Sequence, residues 1–158
     1  MRVQALPSPV RNRLLVVALA ALVVMVPAAP PAEAATPKEK KLVKLVNGYR
    51  TKKGKSTLKT AKKLTTLAHK HSKAMKESGT WFHSTNAQLL SYMKKANCKG
   101  SIGENVGALP GKVVEMHQGF IDSTPHRKQM LKWYWKKMGA GVVVDGSGWL
   151  WATELFCY

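Results

Sequence analysis

Five histidines, eight acidic residues and two cysteines are nearly all that this 158-residue sequence offers for metal or acid–base chemistry. His126 follows Pro125 at the start of a predicted helix, where backbone N–H groups favour anions and lower the pKa of an imidazole. His83 stands in an extended stretch behind Trp81 and Phe82, and Glu104 lies between Gly103 and Asn105 in a segment otherwise free of charge. Two neutral imidazoles and a carboxylate are a common protein ligand set of an open zinc site, with Glu104 alternatively accepting from backbone N–H groups of a glycine-rich turn. His71 and His117 fall on the apolar faces of predicted helices and read as core histidines satisfied by one hydrogen bond. His69 faces away from His71 and reads as exposed. Glu154 alternates with Ala152 and Phe156 on a predicted strand and reads as paired or at a sheet edge. The P-loop, the dinucleotide fingerprint, HExxH and the GxSxG elbow are all missing from the sequence.

Those residues must be held by a small, very basic chain. Lys and Arg number 26 against eight acids, for a formal charge of +18 and a pI near 10.2. Such a field calls for an anionic neighbour. Arg2, Arg11 and Arg13 precede a wholly apolar run, Leu14–Val26, then Pro27, Pro30, Pro31 and the small-residue site Ala32-Glu33-Ala34. Basic, apolar and small in that order is an export signal, and the run is shorter than the roughly 20 residues a membrane span needs. The expected organisation is a cleaved leader, 1–34, and a single domain, 35–158. Export places Cys98 and Cys157 in an oxidising compartment, where only one intramolecular disulfide can form.

Apolar periodicity predicts helices over 38–53 (Leu42, Leu45, Val46, Tyr49), 57–78 (Leu64, Leu67, Ala68, His71, Met75), 85–96 and 111–121 (Val113, Val114, His117, Phe120, Ile121). A short helix follows, capped by Ser123 or Thr124 with Pro125 in its first turn. Gly100–Gly107 reads as loop with a short strand. Met138–Val144 and Trp149–Tyr158 flank Asp145-Gly-Ser-Gly148 and predict a hairpin, and the five tryptophans read as core. The order is that of an α+β domain: helices packed on a small antiparallel sheet.

Taken in order, Leu45-Val-Asn-Gly-Tyr-Arg50, Ala68-x-x-His71-Ser72-x-x-Met75, Phe82-His83-Ser84, Gly103-Glu-Asn-Val-Gly107, Phe120-x-x-Ser123-x-x-His126-Arg127-x-x-Met130-Leu131 and Met138-Gly-x-Gly-Val142 resemble the bacterial branch of the CAP superfamily. This group contains cysteine-rich secretory proteins, antigen 5 and plant pathogenesis-related proteins, and the likeness covers about residues 40–157. The resemblance implies a secreted α-β-α sandwich whose central cavity is lined by two histidines and two glutamates and holds zinc in some members. His83, Glu104 and His126 match three of the four. Ser123 stands where many eukaryotic members carry the second glutamate, and Phe120 stands where they carry a tryptophan, so His117 and Glu154 remain as sources of a fourth group. Asn47, Arg50 and Arg127 read as structural, bonding between layers, and Asn105 belongs to the same motif as Glu104.

Three functions fit. One is a non-enzymatic, monomeric binding module with a His/Glu-lined cavity for a metal or a small apolar ligand. Another is a zinc hydrolase in which Zn²⁺ lowers the pKa of a bound water and Glu104 acts as base. The third is adhesion through charge, because residues 38–99 hold most of the lysines and only Glu39 and Glu77 as acids. Anionic envelope polymers, lipid surfaces or host polyanions are the partners that segment suits, whereas no motif suggests nucleic acid. The binding module is the favoured expectation.

Overall fold

The computed structural model describes residues 34–158; residues 1–33, which carry all of the expected leader but Ala34, lie outside the described part. Helix α1 (Pro37–Lys52) opens with a capping box: Thr36 accepts from the Glu39 amide while Glu39 accepts from the Thr36 amide. There follow β1 (Lys59–Thr60), α2 (Lys62–Ser78), α3 (Asn86–Lys95), β2 (Ile102–Pro110), α4 (Val113–Asp122), α5 (Thr124–Leu131), β3 (Lys137–Val144) and β4 (Trp149–Cys157). The four strands form one sheet in the order β1-β3-β4-β2. β4 runs antiparallel to both of its neighbours, whereas β1 pairs parallel with β3.

β4 is buried along nearly its whole length and separates the two layers. Leu150, Ala152 and Phe156 pack with Leu42, Val46, Met116, Phe120 and Met130 from α1, α4 and α5. On the opposite face Leu155 and Cys157 meet Leu64 and Ala68 of α2, and Trp151 meets Met75. The fold is therefore the expected sandwich of helices about a small sheet. Cys98 and Cys157 are joined in a disulfide across 59 residues, tying the segment after α3 to the central strand.

Helix α2 approaches the sheet more closely than side chains allow. A Cβ on Gly139 would lie 2.3 Å from the backbone of Leu64 and Thr65, and one on Gly141 would lie 2.2 Å from the backbone of Ala68. Ser72 then spans the contact, its hydroxyl within bonding distance of the Gly141 carbonyl at 3.1 Å and of Thr153 Oγ1 at 2.9 Å.

Several sequence expectations need correction. α2 begins at Lys62 rather than near residue 57, because Lys59 and Ala61 donate to the carbonyls of Lys136 and Met138 and hold β1 against β3. α4 begins at Val113. The Gly100–Gly107 segment is mostly strand, not loop. Gly103 and Gly107 are strand residues whose missing side chains make room for Gln129, Trp135, Met116 and Phe120. Trp135 and Trp151 are core, but Trp81, Trp133 and Trp149 are exposed, Trp133 by 75%. His69 is not a free surface group, since its Nδ1 lies 2.7 Å from the buried Glu39 carboxylate.

The hairpin forms as expected. Asp145 accepts from the amides of Ser147 and Trp149 and from the Trp151 indole, and these bonds pull its carboxyl down to about 2.

The glycine contact makes a direct test. Gly141→Ala is expected to lower unfolding stability by about 3 kcal/mol, at the upper end for overpacking, because both neighbours are backbone. Gly146→Ala, where nothing lies within 4 Å, stays within about 0.5 kcal/mol. Urea unfolding of the two variants measures both.

Candidate functional site

Of the three expected cavity residues, two meet directly. β2 turns Glu104 toward the α2–α3 layer, and its side chain is only 2% exposed. His83 Nδ1 lies 2.9 Å from Glu104 Oε1, which also accepts from the Ser84 amide at 2.8 Å, and the Ser84 hydroxyl donates to Oε2 at 2.5 Å. His71 stands behind this group. Its Nε2 lies 2.9 Å from the Phe82 carbonyl oxygen and its Nδ1 3.3 Å from Ser84 Oγ. His71 is thus the satisfied core histidine its helical position suggested, and it fixes the 82–84 segment that presents His83.

His126 comes from the first turn of α5 and packs edge-on against Phe120, with ring centroids 5.0 Å apart. Burial lowers its pKa first, and the charge of His83 lowers it further, which favours the neutral imidazole. Asn105, adjacent to Glu104 on the strand, bonds toward the opposite layer. Its amide donates to the His126 carbonyl at 3.2 Å and to Glu154 Oε2 at 2.9 Å.

Glu154 is paired, as expected, yet it sits fully buried on the central strand rather than at an edge. Its Oε1 has no hydrogen-bond partner among the described residues, and burial, only partly offset by the Asn105 bond, pushes its carboxyl up to about 8.

The remaining motif residues are engaged mainly with backbone groups. Asn47 bonds the backbone of Leu58 in both directions. Arg50 is fully buried and donates to the carbonyls of Ser56, Met130 and Lys132. Arg127 donates to the carbonyls of Ile121 and Asp122 and to Thr124 Oγ1 across the α4–α5 junction. Ser123 occupies the N-cap of α5 without a side-chain cap bond.

Whether these residues suit zinc is a geometric question. Among the described residues, no group of three or more His, Cys, Asp or Glu side chains could hold a metal ion. The Glu104 oxygens already accept from Ser84 and adjoin His83, so no metal-dependent step is derived from this site.

A second feature was not anticipated. α1 and α4 diverge to leave a groove of about 790 Å³. Leu45, Gly48, Tyr49, Val114 and Ile121 give it an apolar lining, and Lys40, Lys41, Lys44 and Lys52 stand around it. Periodicity alone put Val114 on the core side of α4; in the fold it is 46% exposed. His117 also lines the groove. It is buried, its Nδ1 has no hydrogen-bond partner among the described residues, and burial lowers its pKa. The signal available in the sequence was Gly48 beside Leu45 and Tyr49, a missing side chain within an apolar stripe.

Glu154 supplies the pH test. A carboxyl raised from 4.5 to about 8 in the folded state stabilises the fold at low pH relative to high pH. That contribution is complete below about pH 4.5 and lost as pH rises through 8. Glu154→Gln is expected to gain on the wild type by roughly 1 kcal/mol per pH unit between about pH 5 and 8. Paired denaturant titrations measure the difference; a pH-independent gap would show that Glu154 is ionised when folded.

The profile described as CAP, the cysteine-rich secretory protein family, matches residues 43–157. An outer surface protein of Borrelia burgdorferi superposes with a TM-score of 0.66 at 15% identity, covering 75% of this chain and 90% of that one. An extracellular protein containing an SCP domain from Bacillus anthracis gives 0.66 at 22% identity, covering 79% of this chain and 44% of that one. A cysteine-rich secretory protein of Staphylococcus aureus gives 0.64 at 23% identity, with 80% and 40% covered. This chain therefore spans less than half the length of those last two proteins. No curated protein matches it in sequence. With the family profile running from α1 to the end of β4 and the sandwich built as the motifs implied, the chain belongs to the CAP family of cysteine-rich secretory proteins.

Proposed function

We propose that the protein is an extracellular, non-catalytic binding module that takes an anionic amphiphile into the α1–α4 groove. The observation that carries this reading is the pairing of an apolar lining with four surrounding lysines. An alkyl chain lying on Leu45, Tyr49, Val114 and Ile121 gains about 25 cal/mol per Å² of apolar surface removed from water. Its anionic head then has ammonium groups within reach, and the unpartnered Nδ1 of a neutral His117 offers a hydrogen bond to a hydroxyl or carboxyl oxygen. Outside the groove, the lysines of 38–99 favour contact with anionic envelope polymers through a field that salt screens.

Location outside the cytoplasm is supported by the basic-apolar-small N-terminus, by the disulfide, and by the extracellular and outer-surface proteins whose folds match. Zinc hydrolysis through His83, Glu104 and His126 has weaker support, because Glu104 is already engaged with Ser84 and His83.

Gly48 permits a clean test, since a Cβ there meets nothing within 4 Å and glycine inside a helix costs about 1 kcal/mol relative to alanine. Gly48→Leu is expected to fill the groove without lowering the thermal midpoint. It should weaken binding of a fluorescent long-chain fatty acid roughly tenfold or more, the value of a lost apolar contact of that size. His83→Ala/His126→Ala should leave that affinity unchanged. Equal binding by wild type and Gly48→Leu would exclude the groove, and loss in the histidine variant would move the ligand to the Glu104 side.

A further inference from the structure

A second surface stands apart from the groove, at the corner between α5 and β3. Trp133 is 75% exposed and Tyr158 46%. Neither is isolated. Trp133 meets Tyr134 at 5.7 Å between ring centroids, and Tyr134 meets Tyr158 at 6.1 Å and Trp135 at 4.6 Å. Trp135 in turn stacks on Phe156 of the core and donates its indole N–H to the Gln129 carbonyl. The exposed rings are therefore the outer members of an aromatic chain anchored in the core, which presents them at little entropic cost.

The surrounding charge has one sign. From Thr124 through Val144 the sequence has no acid, while it carries Arg127, Lys128, Lys132, Lys136 and Lys137. Lys132 Nζ lies 5.9 Å from the Tyr134 ring centroid and 5.5 Å from that of Trp135. The amides of Lys99 and Gly100 both bond the Tyr158 carbonyl, which brings another lysine to the corner.

Exposed Trp and Tyr beside Lys is the composition of a protein edge that sits in the headgroup layer of a bilayer, where amphipathic rings are half wet and lysines meet phosphates. Among the described residues no helix is long and apolar enough to cross a membrane, so contact here is peripheral. The rings along this chain meet edge-to-face at 85°, 65° and 81°, so they do not form one flat platform along which a sugar chain could lie. A projecting Trp with upright neighbours suits insertion instead.

We infer that the Trp133–Tyr134–Tyr158 corner docks on the headgroup layer of an anionic lipid membrane, with Trp133 inserted and Lys132 and Lys136 paired to lipid phosphates. The inference does not depend on what occupies the groove.

The test is co-sedimentation of the full chain with phosphatidylcholine vesicles, with and without phosphatidylglycerol, comparing proteins that share one N-terminus. Trp133→Ala is expected to reduce partitioning onto anionic vesicles roughly tenfold, as for losing one buried aromatic. Lys132→Ser/Lys136→Ser should reduce it about fivefold per lysine and abolish the preference for phosphatidylglycerol. Both variants should unfold at the wild-type temperature, because the replaced side chains lie outside the core. Unchanged partitioning in Trp133→Ala would overturn the inference. So would a loss of dextran sulfate binding in Trp133→Ala without any vesicle effect, which would identify a polyanionic glycan as the partner.

Discussion

The backbone of α2 lies on the backbone of β3, and much of the molecule is arranged around that contact. Gly139 and Gly141 leave the space, Leu64, Thr65 and Ala68 fill it, and Ser72 bonds across it to Gly141 and Thr153. An interior this dense does not deform gradually, so the rotation of α2 about its own axis is set within narrow limits. His71, one residue before Ser72, is thereby held against the Phe82 carbonyl and Ser84. Ser84 passes that position to Glu104, and Glu104 to His83. A solvent-facing imidazole is thus placed by a chain of contacts that begins where two glycines lack side chains.

The opposite layer is held by buried charge. Arg50 carries its guanidinium into the core with no carboxylate partner among the described residues, and it donates to the carbonyls of Ser56, Met130 and Lys132. Two of those carbonyls lie at the end of α5, where the helix dipole favours a cation. Glu39 does the converse work at the start of α1. One of its oxygens accepts from the Thr36 amide, and the other lies near His69 and the Val142 amide, beyond the reach of the two-residue β1. Each group stabilises the fold only while its partners stay, since a buried charge left unpaired costs several kcal/mol.

The helical stripes, the hairpin at Asp145–Gly148 and the Cys98–Cys157 pairing were legible because each rests on local periodicity, turn chemistry or simple counting. The ordered motifs carried the fold class for the same reason: most of them mark a local turn, cap or close approach. β2 was not legible as a full strand. Gly103 and Gly107 read as loop residues until Gln129, Trp135, Met116 and Phe120, far along the chain, are seen to occupy their missing volumes. β1 exists only through its pairing with β3, and two residues show no period. His69 looked exposed because its partner, Glu39, belongs to another helix. Of the expected site, the His83–Glu104 pair was legible through motif likeness, whereas Ser84 as a ligand of Glu104 and the α1–α4 groove depend on packing angles that periodicity does not encode.

The strand order β1-β3-β4-β2 also constrains how the molecule comes into being. The central strand is the last element of the domain to be synthesised, and before it arrives β2 has no partner and β3 has only the two residues of β1. Local helices can form as the chain emerges, but the faces they would bury have no sheet to meet. Pairing of the sheet is therefore postponed until synthesis reaches Cys157, which leaves most of the nascent domain's strand edges open until its final residues are added.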